Sequence, residues 1–129
     1  MGYKSMVSTL TAQNATETTK TLIDTITVPQ GVKTLVGVAG QMNAAGTTTL
    51  EGLGYIIELE SDDMSPWGGT QQFLGVAVVN GNGAGWAALN PYIHPCAIPV
   101  TPGSHIKVST TFDLAQTINP SMRVQLVFE

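Results

Sequence analysis

Charge is what this chain has least of. Only 11% of its 129 residues are Asp, Glu, Lys or Arg, against about 25% in an average soluble domain. Charged side chains normally cover the solvated face of a monomer and keep it soluble. With 43% apolar residues, the chain must either hide surface in an assembly or present Thr, Asn and Gln to water. Cysteine is scarce as well. Cys96 stands alone, so no internal disulfide can form and a secreted disulfide scaffold is excluded. Basic clusters are missing too. Lys4, Lys20, Lys33, Lys107 and Arg123 are scattered singly, and the net charge is −4. That balance argues against a nucleic-acid partner, which rewards clustered Lys and Arg. No apolar run is long enough to span a bilayer as a helix, so no membrane partner is expected.

The length fits one domain, large enough to bury roughly two thirds of the surface that its unfolded chain exposes. It needs no metal or disulfide to fold. The opening Met1–Met6 has no apolar stretch of the signal-peptide kind, and the cytoplasm is the expected site of synthesis. Residues 1–19 read as an N-terminal arm or first strand, and 20–129 as a single domain.

What is present is Thr, Gly, Val, Ala and Asn in short alternating runs. Thr21–Val28 places Leu22, Ile26 and Val28 on one face, and Val32–Ala39 follows after the Pro29-Gln30-Gly31 turn. β-Branched runs of this sort favour a pleated, half-buried surface. Gly40–Thr47 reads as a loop, and so does Ser61–Thr70. Leu53, Tyr55, Ile57 and Leu59 make the clearest row of period two. Phe73–Val79 is almost wholly apolar, as expected of a strand buried on both faces. Tyr92–Val100, punctuated by Pro95 and Pro99 after Pro91, reads as an edge or an irregular strand. Ile106–Phe112 and Met122–Phe128 alternate cleanly. About eight strands with Gly/Pro turns between them predict an all-β antiparallel sandwich, jelly-roll in preference to an up-and-down barrel. The expected core holds Leu22, Ile26, Val36, Val38, Tyr55, Ile57, Val76, Val78, Ile106, Val108, Phe112, Val124 and Leu126. Two turn segments look alike: Val28-Pro29-Gln30-Gly31 and Val100-Thr101-Pro102-Gly103.

Candidate chemistry is thin. His94, Cys96 and His105 are the soft metal ligands, but they lack the paired spacing of zinc sites. Cys96 reads as a small buried apolar residue rather than a reactive thiol. Glu58, Glu60, Asp62 and Asp63 gather near one loop without the spacing of a calcium loop, and charges at a strand end usually form a solvated rim. The glycines of Gly81–Gly85 have no Lys after them and no βαβ setting, so a hairpin loop explains them better than a phosphate cradle. No nucleophile elbow is present. The expectation is a protein that is not an enzyme and carries no cofactor or metal. Large apolar groups outside the predicted core are the candidate contacts: Tyr3, Met6 and Leu10 in the arm, and Met64, Trp67 and Trp86 in loops.

The Thr-rich opening ATETTKTLIDTITVPQGVKTLVGVAG, then TLEGLGYIIELE, and the closing IPVTPGSHIKVSTTFDL…MRVQLVFE resemble the jelly-roll proteins that decorate or cement tailed-bacteriophage capsids. The resemblance implies a sandwich that oligomerises, binds between major capsid proteins on the capsid exterior and strengthens the shell; the low charge density points to a homodimer or homotrimer. The resemblance transfers no site residue. The alternative from another class is a carbohydrate-binding sandwich of a fibre or surface protein, with Trp67, Trp86 and Tyr92 stacking on sugar rings.

Overall fold

The computed structural model describes residues 2–9, 11–12, 20–44, 50–79, 85–86, 93–112 and 121–129. Strand formation follows the alternation most directly near the C-terminus. In β9 (His105–Phe112) Ile106, Val108 and Thr110 point inward, and in β10 (Ser121–Phe128) Met122, Val124, Leu126 and Phe128 are fully buried. β5 (Leu50–Glu60) contributes Ile57 and Leu59 to the same core.

The remaining strands are β1 (Lys4–Val7), β2 (Thr11–Ala12), β3 (Thr21–Thr27), β4 (Thr34–Ala44), β6 (Thr70–Val79), β7 (Gly85–Trp86) and β8 (Ile93–Pro99). All pairings are antiparallel. One sheet has β10 and β4 at its centre, β1 and β2 beside β10, and β7 and β8 beside β4; the other runs β3-β9-β5-β6. Taking β1 with β2, and β7 with β8, as single positions leaves eight along the chain. First then pairs with last, second with seventh, third with sixth and fourth with fifth. That is a long hairpin ribbon rolled up on itself: a jelly roll. The all-β sandwich expected from the sequence is the observed fold.

Two bulges correct the expected core. In β3 the register against β9 shifts between Leu22 and Asp24, so Ile23 and Ile26 are both buried while Leu22 is 54% exposed. The extra residue turns a spacing of two into three. β4 repeats the device. Val127 faces Gly37 but Phe128 faces Leu35, which leaves Val36 as the extra residue, half-buried, and puts Leu35 and Val38 in the core. Gly40–Ala44, expected as loop, continues β4 because β10 pairs with it residue by residue. Gly40 lets the two sheets approach there: a Cβ would lie 2.9 Å from Ile57 Cδ1 and 3.1 Å from Tyr55 Cε2, and these side chains would have to shift. Tyr55 itself is only partly buried against the core.

Phe73–Val79 is not buried on both faces. It belongs to β6, an outer strand of its sheet, with Leu74 68% exposed. β8 lies beside β4 at the rim of the other sheet, a position where prolines are tolerated. The side chains of Val76, Val78 and Phe112 lie outside what is described.

Candidate functional site

One end of the sandwich gathers the Pro29–Gly31 turn, the Thr101–Ser104 turn, the β5–β6 connection and the start of β1. The two look-alike turns lie side by side. Val28 N–H donates to Ser104 O at 2.8 Å and Gly103 N–H to Val28 O at 2.9 Å. Gly103 has φ +86°, a conformation glycine adopts without strain. Lys4 reaches over to donate its ammonium to the carbonyl of Gln30.

The β5–β6 connection is a 3-10 helix, Asp62–Trp67, rather than irregular loop. Ser61 caps it, its hydroxyl accepting from Asp63 N–H at 3.2 Å, as Ser before two acidic residues favours. Gly68 closes it in the left-handed region, φ 80°. The helix turns Met64 wholly into the core. This corrects the expectation that Met64 is a surface contact: a short 3-10 helix anchored by caps at both ends can direct one side chain inward.

Asp63 ties the helix to the neighbouring turn. Its carboxylate accepts from Thr101 N–H at 2.9 Å, Thr101 Oγ1 at 2.8 Å and Ser104 Oγ at 2.8 Å. Desolvation pushes its pKa up, but these three donors outweigh that and hold it below the ordinary carboxylate value. The other three acidic residues do not join it. Glu58 faces Lys20, 3.7 Å away. Glu60 stands opposite Lys107 in the sheet register, and Asp62 is exposed. Glu60 and Asp62, with Ser65, Thr70 and His105, border an open polar groove.

The soft ligands are also apart. His94 and Cys96 share a face of β8, as their spacing predicts. The His94 ring lies 5.8 Å from that of Phe73, and burial pushes its pKa down. Cys96 Sγ donates to Leu35 O at 3.4 Å, and burial lifts the thiol to about 11. A thiol of that pKa is almost entirely protonated near neutral pH and weakly nucleophilic. His105 is exposed, its Nδ1 3.1 Å from Thr27 Oγ1. Among the described residues no three of His, Cys, Asp and Glu converge on one point.

Of the candidate contacts, Tyr3 is 68% exposed, Trp67 47% and Met6 37%. Tyr3 and Trp67 are both at the end just described, while Met6 lies along β1. Leu10 and the side chain of Trp86 lie outside the described residues, as does Tyr92. Sequence reasoning missed Leu74 and Ile93, which are 68% and 50% exposed. The polar pair Gln71-Gln72 before Leu74 was the available signal that this strand meets solvent.

The winding places the chain in the class of jelly-roll β-sandwiches. No family model matches it and no curated protein matches it. Among solved structures, a chain in the structure of infectious bursal disease virus, Gx strain, is similar in fold, with TM-score 0.53 and 10% identity, over 98% of this chain and 31% of that chain. This chain therefore spans about a third of that neighbour's length.

Proposed function

We propose that this protein is a non-enzymatic structural component of a virion, decorating the capsid exterior and cementing it by binding between major capsid proteins, as a homodimer or homotrimer. The observation that carries the reading is the rolled ribbon itself, shared along 98% of this chain with a chain of a virus structure. The low charge agrees with it, as do Tyr3 and Trp67, large and exposed at one end. Many weak contacts of this kind, repeated on one lattice, become durable attachment through high effective concentration.

The test is heat challenge of shells with and without the protein. Binding that favours the intact lattice must stabilise it, so decorated shells should survive temperatures that open bare ones. Tyr3→Ala with Trp67→Ala should weaken attachment and leave the isolated chain folded. Equal survival of bare and decorated shells would end the cementing reading. Retardation in a polysaccharide gel, lost in Trp67→Ala, would put a carbohydrate-binding module in its place.

A further inference from the structure

Of the four edges in the two sheets, three are guarded. Next to β10 the chain pairs in two short pieces, four residues and two, and Lys4 there is committed to Gln30. β8 carries Pro95 and Pro99, which cannot donate to a new strand. β3 is bulged and crossed by Thr9, whose N–H donates to Asp24 Oδ2 at 3.0 Å and whose hydroxyl donates to Ile23 O at 3.2 Å. These are the ordinary devices that stop a sheet from adding strands.

Among the described residues β6 has none of them; the register shift between Leu50 and Leu53 puts its extra residue in β5. β6 runs ten residues, TQQFLGVAVV, without a charge or a proline. Its register against β5 is regular from Leu53–Ala77 to Glu60–Thr70, and among the described residues it pairs with β5 alone. We infer that β6 is a self-association edge: two copies pair their β6 strands antiparallel about a two-fold axis at Leu74, joining two four-stranded sheets into one. An isologous contact of this sort closes on itself and stops at the dimer.

The edge is self-complementary, which favours a second copy as the occupant. Each chain carries −4, but β6 has no charged residue along its length, so two β6 strands can meet without bringing like charges together. The axis at Leu74 also keeps like charges apart. Glu58 and Glu60 lie one strand behind Gln72 and Thr70, opposite the uncharged far half of the partner's β6. In the central row Ile56 and Leu74 of one copy meet Leu74 and Ile56 of the other. That joins four apolar side chains across the junction, and cross-strand pairs of this type favour the sheet. The edge does not depend on the capsid reading. A chain that cements shells as a trimer, or as a dimer joined elsewhere, would overturn this inference and leave that reading intact.

The test is light scattering on the full-length chain combined with hydrogen exchange. At high concentration the mass should be twice the 13.5 kDa of one chain. Outward β6 amides should exchange roughly tenfold or more slowly in the dimer than after dilution. Leu74→Lys should give a monomer with an unchanged circular dichroism spectrum, whereas Ile93→Lys, equally a charge on an exposed apolar site of the other sheet, should stay dimeric. A parent chain that remains monomeric, a dimer that survives Leu74→Lys, or a dimer whose β6 amides gain no protection would each overturn the inference. The exchange result on the parent chain decides the matter even if Leu74→Lys fails to fold.

Discussion

Replacing Met64 with alanine separates a core residue from a loop contact. Met64 has no exposed surface and packs in the central cluster, although five neighbours in sequence are polar, proline or tryptophan. Burying a whole Met side chain is worth about 1.5–3 kcal/mol, and the cavity left by truncation adds to the loss, giving the 2–5 kcal/mol typical of such changes. The caps at Ser61 and Gly68 fix the 3-10 turn from both sides, so the site has little freedom to collapse. A value of about 3 kcal/mol is expected. For a domain of this length that lowers the melting temperature by roughly 12 °C. Urea titration should show a lower midpoint with an unchanged slope, the mark of lost stability in an unaltered fold. Trp67→Ala in the same helix is the control and should cost under about 1 kcal/mol, because that ring is half in water. A Met64→Ala protein that melts within a degree or two of the parent would refute the assignment of this turn to the core.

The β3 bulge makes a second, paired prediction: Ile23→Ala should cost about 2–4 kcal/mol and Leu22→Ala almost nothing, and chemical denaturation that ranks them the other way would restore unbroken alternation. Asp63 titrates with a depressed pKa in the folded state, so its contribution is full above the unfolded carboxylate value of roughly 3.9 and disappears as pH falls through the lower folded value. Asp63→Asn should therefore melt below the parent at neutral pH and converge with it in acid; a gap that does not change with pH would mean that the charge of Asp63 contributes nothing.

The faces of β5, β9 and β10 were legible because their buried apolar residues recur every second position. Ile57 and Leu59, Ile106 and Val108, and the four inward residues of β10 all fall where period two puts them. β3 and β4 were misread at Leu22 and Val36 because a bulge inserts one residue without leaving a composition signal, and both flanking residues are apolar. The strand character of Gly40–Ala44 was hidden for another reason. Gly, Gln and Asn have low strand propensity, and here pairing with β10 overrides it. The Pro29 and Gly103 turns were plain from residue type. Met64 was obscured by its polar neighbours, and only Ser61 followed by two acids hinted at a helical turn. At the candidate surface, exposure of Tyr3 and Trp67 followed from their being large apolar groups in segments without alternation.

The rolled ribbon also bears on how the chain reaches this state. Lys4 pairs with Phe128, and Thr21 with Thr110, so most ladders join residues that are remote in sequence. Among the described residues only β5 and β6, linked through the short helical turn, meet early along the chain. Loop-closure entropy must be met before distant pairings return anything, which places such topologies among slow folders, in the millisecond-to-second range. Winding from the β5–β6 hairpin outward brings β1 onto β10 last. Until then the edge of β10 that β1 covers is unpaired, and an unpaired edge is open to association. Stopped-flow refolding complete within microseconds would contradict this order of events.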